Sequence, residues 1–201
     1  MKQRLKTYSN NTRGFTLIEL LVYIAVVGVL ASFIYATIDA VEMRARDAKR
    51  IANLNSIVHA LELFKDQNFN YPMLTSSGVG NLHGWKVSYL PDFLLALEPY
   101  MPGGVPIDPL NIGPPVLTGG ASHVMFNTRP DGSYFYMYHR YENPDYAASV
   151  GCLPAGTKGF IAVVGFRAVE SKSFDKTKFP RAKCSGRDWG KEFDYSVLLF
   201  E

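Results

Sequence analysis

The chain is poor in the side chains that most metal sites and catalytic centres use. Its 201 residues include only two cysteines and four histidines, and the histidines are scattered without the spacing of metal ligands. The sequence contains no serine nucleophile elbow, no glycine-rich phosphate loop and no cluster of histidine with acidic residues. We therefore expect neither an enzyme nor a zinc protein, and we expect no cofactor. The four histidines are His59, His83, His123 and His139.

Basic residues are also absent from a stretch of the chain that is long enough to cross a bilayer. Residues 13–36 read RGFTLIELLVYIAVVGVLASFIYA, and no lysine or arginine occurs between Phe15 and Asp39. Glu19 is the single carboxylate of this apolar run. An ionisable residue inside a membrane helix costs roughly 2.5–3.5 kcal/mol on insertion scales, so it persists where it finds a partner. Cleavage after Gly14 would create such a partner, the α-amino group of Phe15, in the same helix or on a neighbouring copy.

One short segment resembles the processing site of type IV pilins and type II secretion pseudopilins: Gly14-Phe15-Thr16-Leu17-Ile18-Glu19. The resemblance rests on a basic leader, the Gly/Phe junction, a glutamate fifth in the mature chain and an unbroken apolar run. It implies that prepilin peptidase cleaves between Gly14 and Phe15 and that Phe15 is N-methylated. It also implies that mature chains assemble through these helices, with Glu19 attracting the Phe15 amine of an adjoining subunit.

The resemblance covers residues 1–55 closely and is architectural beyond them. Three later pairs or triplets follow the order seen in pseudopilins of the major type: Tyr71-Pro72, Tyr89-Leu90-Pro91 and Asp108-Pro109. Many family members have a proline at the twenty-second mature position, where this chain has Ala36, so we expect a straighter helix here. The partners implied are prepilin peptidase, other copies or related pilins, an inner-membrane assembly platform, and membrane lipid before assembly.

The leader, residues 1–14, carries four cations and no acid: Lys2, Arg4, Lys6 and Arg13. By the positive-inside rule it stays in the cytoplasm. This predicts a single-pass protein of the bacterial inner membrane with its C-terminus outside the cytoplasm. The resemblance implies that the chain later forms a cell-surface or periplasmic filament. Without the leader, 17 basic residues remain against 18 acidic ones, so nucleic acid is not the expected partner. The alternative for this segment is an ordinary secretory signal ending near Val29-Leu30-Ala31, which Glu19 and the continuing helical pattern disfavour.

The apolar run continues into an amphipathic helix without a breaker. Neither glycine nor proline occurs between Asp39 and Asp66, and apolar residues recur at helical spacing from Ile51 onward. We predict one helix from about Phe15 to Lys65, with residues 15–38 as the transmembrane and assembly segment and residues 39–66 as its amphipathic continuation. Charged residues crowd the stretch just outside the membrane and are expected to be solvated or to lie between subunits: Asp39, Glu42, Arg44, Arg46, Asp47, Lys49 and Arg50.

Residues 67–201 are predicted to form a globular region outside the cytoplasm. Prolines and glycines concentrate in residues 67–120, which we interpret as a connecting loop with one short helix over residues 92–98. Strand patterns follow over residues 122–127, 133–141, 159–167 and 194–200, and Pro130-Asp131-Gly132 is typical of a hairpin turn between the first two. The expected fold class is α+β and pilin-like, a long N-terminal helix packed on a small antiparallel sheet.

Cys152 and Cys184 both fall in the exported region, where disulfides persist. A single disulfide between them is the preferred interpretation, with two buried reduced thiols as the alternative. Pseudopilins of the major type often bind calcium in a loop, and Asp108 with Asn111 is the nearest candidate in a comparable place. Because this stretch is rich in proline and poor in carboxylates, a proline turn capped by Asp108 is preferred over calcium.

Two further stretches have more than one interpretation. Residues 134–141 are densely aromatic, and we expect a core on one face of this strand and a subunit contact on the other, rather than a ligand platform. Residues 167–191 hold eight basic and three acidic residues, which predicts a solvated loop. The alternative is a minor pilin that binds DNA or a surface through this segment, using Lys172, Lys176, Lys178, Arg181, Lys183 and Arg187.

Overall fold

The structure is a computed structural model that describes residues 14–73, 85–113 and 132–201. The chain divides into two compact units, Met1–Glu42 and Met43–Glu201. A single helix, α1 (Leu17–Asn68), runs through both and is continuous at residues 34–36. The predicted long helix is therefore confirmed within a few residues at each end, whereas its straightness stays a prediction.

The first unit contains the apolar part of α1, and each of its residues with a described side chain is exposed. This helix is long and apolar enough to cross a membrane, by length and composition alone. The apolar side chains project around the helix because they occupy consecutive positions and not one stripe.

The second unit packs the rest of α1 on a four-stranded antiparallel sheet with the order β1-β2-β3-β6. The strands of this sheet are β1 (Lys86–Val87), β2 (Tyr136–Tyr141), β3 (Ile161–Phe166) and β6 (Tyr195–Phe200). In the register of the sheet, Tyr138 lies opposite Val164, which lies opposite Val197. A separate two-stranded hairpin pairs β4 (Lys183–Cys184) with β5 (Arg187–Asp188). A short helix, α2 (Tyr146–Ser149), follows β2.

Three predicted strands are present at nearly the predicted positions, as β2, β3 and β6. The predicted strand over residues 122–127, most of the predicted hairpin turn, His83 and His123 lie outside the described residues. Strands β1, β4 and β5 were not predicted because two residues are too few to show an alternating pattern. The fold class is the expected one, α+β with a long N-terminal helix packed on a small antiparallel sheet.

The helix predicted over residues 92–98 is wrong in position. Residues 91–94 form turns, Leu94 adopts a left-handed conformation with φ of 48°, and a 3₁₀ helix follows at Leu95–Tyr100. Pro99 lies inside this 3₁₀ helix. The 3₁₀ turns are closed by Leu97 N donating to Leu94 O at 2.9 Å and Met101 N donating to Glu98 O at 3.2 Å, and neither bond needs the proline nitrogen.

Both faces of the sheet are covered by the chain itself. Tyr136 and Tyr138 of β2 face α1 and pack with Leu54, Ile57 and Leu61. The alternate residues of the same stretch face a second core on the other side of the sheet. The expectation of a subunit contact on that second face is therefore wrong, because the C-terminal segment folds over it. The second core includes Phe135, Met137, Val163, Trp189, Phe193 and Cys184.

Hydrogen bonds from polar side chains join the second unit's part of α1 to the rest of that unit. The Tyr136 hydroxyl accepts a hydrogen bond from Asn53 Nδ2 at 3.0 Å, and the Tyr71 hydroxyl donates to Glu62 Oε1 at 2.7 Å. Near the C-terminal end of the helix, Lys65 Nζ donates to the backbone oxygen of Phe200. These bonds let the helix carry polar residues on a face that is partly buried.

The predicted disulfide joins Cys152 to Cys184, with 4.9 Å between their Cα atoms. It connects the segment after α2 to strand β4, beside a backbone bond from Gly186 N to Val150 O at 2.8 Å. Gly151 has a φ of 73°, and a Cβ there would lie 1.8 Å from Ser185 Oγ. Glycine suits both the positive φ at position 151 and the small space beside Ser185. The disulfide and Gly151 together therefore hold the β4–β5 hairpin in place.

Candidate processing and assembly site

The start of α1 is organised by Thr16 and Glu19. Thr16 N and Thr16 Oγ1 donate to Glu19 Oε2 at 2.9 and 2.8 Å, and Glu19 N donates back to Thr16 Oγ1 at 3.3 Å. This reciprocal pattern is a capping box, in which the residue before the helix and the third helical residue satisfy each other's free N–H groups. It explains why the helix begins at Leu17.

The capping box gives the Glu19 carboxylate a partner within its own chain. The sequence led us to expect a cation as the partner of the Glu19 carboxylate, and the partner in the structure is Thr16. The signal was available, because a threonine three residues before a glutamate at the start of an apolar run is the capping-box pattern. Both contacts from Thr16 use Oε2 of Glu19.

The structure gives no internal reason for a glycine at position 14. A Cβ built on Gly14 meets no atom of the described residues within 4 Å, and the residue precedes the helix. Phe15 beside it is 87% exposed. A requirement for glycine at this position would therefore come from a protein that binds this segment and not from the fold.

The apolar residues after Glu19 form a surface that no described part of the chain covers. Leu20, Ile24 and Leu30 each expose more than half of their surface, and so do most of their neighbours. A continuous apolar surface of this length is unfavourable when it is exposed to water. A surface of this kind requires lipid or other apolar helices around it.

A second cluster of charges lies within the second unit, between the helical residues after Met43 and two later segments of the chain. Arg50 is completely buried and donates from Nε and Nη2 to the two oxygens of Asp108, at 2.7 and 2.9 Å. Its Nη1 donates to Asp47 Oδ1 at 2.8 Å and to Glu170 Oε1 at 2.7 Å. The guanidinium also lies 4.9 Å from the centre of the Tyr134 ring. We name this the Arg50 cluster: Arg46, Asp47, Arg50, Asp108 and Glu170.

The Arg50 cluster corrects the expectation that the charged stretch outside the apolar run is solvated. Asp47 and Arg50 are buried, and Asp47 also accepts backbone bonds from Glu170 N at 3.0 Å and Ser171 N at 2.8 Å. The physical reason is that two distant segments supply carboxylates for Arg50, so the charge is paired inside the protein. Other residues of that stretch, including Arg44 and Lys49, are exposed as expected.

The charges of the cluster stabilise one another's ionised forms. Burial alone would lower the pKa of the Arg50 guanidinium, but its bonds and charge contacts with Asp108 and Glu170 outweigh burial and raise the pKa. Burial would likewise raise the pKa of Glu170, yet the hydrogen bonds from Arg46 and Arg50 lower it below its usual value. Arg50 and Glu170 are therefore both ionised at neutral pH.

The calcium candidates are used in other ways. Asp108 binds Arg50 and also accepts a bond from Leu110 N at 2.9 Å, which is the turn-capping role that was preferred. Asn111 Oδ1 accepts from Ser88 Oγ at 2.6 Å, and its Nδ2 donates to Ser88 O at 3.1 Å. The two side chains thus point to different partners and do not share a site.

The basic segment is more folded and more paired than a solvated loop would be. Arg167 is buried and donates to the backbone oxygen of Glu192, so the expectation of a solvated loop is wrong for this residue. Four of the six cations proposed for nucleic acid have carboxylate partners. Four of the six are exposed, as a solvated loop predicts: Lys172, Lys178, Arg181 and Lys183. The paired cations are Lys176 with Asp194, Lys178 with Asp175, Lys183 with Asp188 and Arg187 with Glu192.

Comparison with known proteins gives a family match at the N-terminus and several partial matches to curated relatives. Residues 9–35 match the family model described as "Prokaryotic N-terminal methylation motif". The chain is 32% identical over 74 residues to the type II secretion system core protein G of Escherichia coli K12, which is 37% of this chain and 50% of that protein. It is 39% identical over 61 residues to the type IV wide pilus major component PilA4 of Thermus thermophilus, 30% of this chain and 47% of that protein.

A third relative is the type IV major pilin protein PilA of Myxococcus xanthus, 27% identical over 90 residues, which is 42% of this chain and 41% of that protein. The chain spans about half the length, or less, of these curated relatives. No solved structure gives a significant match to the chain.

Fold and N-terminal site together define a class, an α+β protein of pilin-like architecture with an exposed apolar helix that begins with a Thr16–Glu19 capping box. The methylation motif and the named relatives support one family for this chain, that of type IV pilins and type II secretion pseudopilins.

Proposed function

We propose that the chain is a structural subunit of a type II secretion pseudopilus or a type IV pilus-like filament and that it acts by polymerising. The observation that carries this proposal is the apolar half of α1, which begins at Leu17, has exposed apolar side chains and holds Glu19 in its first turn. Such a helix is stable in lipid as a single chain, or against copies of itself in a polymer.

The proposal assigns a sequence of states to this helix. The basic leader holds the N-terminus in the cytoplasm while the second unit lies on the other side of the inner membrane. Prepilin peptidase cleaves between Gly14 and Phe15, Phe15 is N-methylated, and an inner-membrane assembly platform adds the subunit to the filament. Extraction from lipid is offset because the apolar helices bury one another in the polymer.

Glu19 has a different partner before and after assembly in this proposal. In the single chain its Oε2 is held by Thr16 N and Oγ1. In the filament the carboxylate pairs with the new amine of Phe15 on an adjoining copy, in a low-dielectric setting where an unpaired charge is costly. The capping box keeps the carboxylate hydrogen-bonded until that amine arrives.

Intact-mass analysis of the protein from cells that contain the peptidase tests the processing step. We expect a mature chain that begins at methylated Phe15. Gly14→Ala should leave at most partial cleavage, although its Cβ meets no described atom within 4 Å, and a larger or charged residue should block cleavage. A mature N-terminus at Ser32, or an uncleaved Met1, would contradict the proposal.

A further inference from the structure

Phe69 occupies a conformation that favours glycine. It follows the last residue of α1, has a φ of 60°, and closes the helix by donating its N–H to Lys65 O at 2.7 Å. This is the left-handed helix cap, a position usually taken by glycine because a Cβ is strained there. The Phe69 side chain is nevertheless 90% exposed, so the described part of the chain does not compensate the strain with packing.

An open apolar cleft of about 500 Å³ lies elsewhere on the same unit. It is lined by residues of three segments, 88–93, the start of the 3₁₀ helix Leu95–Tyr100, and 104–107. Two residues of the lining, Leu95 and Ile107, expose 52% and 54% of their surface. Further lining side chains are Tyr89, Phe93, Glu98 and Val105.

Hydrogen bonds fix the position of Phe69 relative to the cleft. The Tyr100 hydroxyl donates to Gln67 Oε1 at 2.8 Å and accepts from Asn68 Nδ2 at 3.2 Å, which fastens the 3₁₀ helix to the end of α1. Since Phe69 is exposed, it does not fill the cleft of its own chain. The unit therefore carries an apolar projection at one place and an apolar depression at another.

We propose that Phe69 of one copy docks into this cleft on a second copy of the chain when the copies assemble. This inference rests on the proposed function and names a contact made outside the apolar helices. Because projection and cleft are different patches of one surface, each copy can use both. A heterologous contact of this kind builds either a ring or an open filament, and the open filament is the case that fits the proposed function.

The size of the contact favours a second copy over a free partner protein. One phenylalanine buries about 150–250 Å², whereas a stable association of two separate proteins needs about 1,200–2,000 Å². The contact is too small to bring two proteins together by itself. The Phe69 contact is sufficient where the apolar helices already hold the copies side by side, because it then has only to fix the orientation of copies that are already associated.

Phe69→Gly separates a docking role from a structural one. Glycine suits the left-handed cap, so the full chain should keep or raise its melting temperature while it loses the projection. We expect filament yield to fall on the order of tenfold, as for the loss of one buried aromatic side chain. Met73→Ala removes another exposed apolar side chain, 63% exposed, and should leave the yield unchanged.

Cross-linking tests the contact itself. Copies with Phe69→Cys are co-expressed with copies with Ile107→Cys, and sheared filaments are treated with a short thiol-specific cross-linker. We expect covalent dimers in the mixture and none when either variant is expressed alone. Wild-type yield from Phe69→Gly, or filaments without cross-linked dimers, would overturn the docking contact and leave the proposed function standing. Absence of filaments from the unmodified chain in cells with the assembly machinery would overturn both.

Discussion

Replacing Arg50 by methionine should destabilise the second unit more than any single surface change. The guanidinium is completely buried and makes four hydrogen bonds to three carboxylates. Its removal leaves Asp47, Asp108 and Glu170 close together, with Arg46 as the remaining cation of the cluster. Removing one partner from a buried ion pair costs about 3–5 kcal/mol. For a unit of this size that corresponds to a fall in melting temperature of about 6–20 °C.

Thermal unfolding of the full chain in detergent, followed by tryptophan fluorescence, measures this effect. Trp85 and Trp189 are both buried in the second unit, so their emission reports on that unit. Arg44→Met serves as the matched control, because Arg44 is an exposed arginine on the same helix and should change stability by less than about 0.5 kcal/mol.

A double substitution separates unpaired charge from lost packing. If the cost of Arg50→Met comes from carboxylates left without a cation, adding Asp108→Asn should recover part of the lost stability. Equal melting temperatures for Arg50→Met and the native chain would refute the reasoning. So would a double variant that is no more stable than Arg50→Met alone.

Three other measurements address separate parts of the molecule. Alkylation of the native, unreduced protein should leave Cys152 and Cys184 unlabelled, and reduction should lower stability by about 3–4 kcal/mol; free labelling of both thiols would contradict the bridge. Glu19→Ala should insert and be cleaved normally but assemble poorly, with Glu19→Asp intermediate, and normal filament yield from Glu19→Ala would show that the carboxylate is dispensable. Because the pKa of Glu170 is lowered in the folded state, its contribution to stability is present above its unfolded pKa and is lost as pH falls through the folded pKa. Melting temperature against pH should therefore fall less steeply on the acid side for Glu170→Gln, and identical profiles would argue against this role.

Local patterns predicted the regular part of the fold. The spacing of Leu54, Ile57 and Leu61 predicted a buried stripe on the helix, and these residues lie in the first core. Alternating and β-branched runs predicted strands β2, β3 and β6 because each is six residues long. In both cases the period of the element is visible within a short window of sequence.

Contacts between distant segments were not predictable in the same way. Arg50 looked like a solvated residue because its partners Asp108 and Glu170 lie 58 and 120 positions away. The covered second face of the sheet was missed for the same reason, since Trp189 and Phe193 come from a segment that looks basic and polar. At the N-terminal site, by contrast, Thr16 lies three residues from Glu19, and its role could have been predicted from the sequence.

The polar bonds along α1 have a mechanical consequence. The Arg50 cluster fastens the second unit at one end of its helical segment, and the bonds of Glu62 and Lys65 fasten it near the other. Arg50 and Lys65 are separated by about 22 Å along the helix axis. In a polymer of such subunits, tension along the helix would load both sets of bonds at the same time, so that one set would not break before the other. Rupture would then require both to fail together, which slows the forced unfolding rate and lets the subunit stay folded while the filament is pulled.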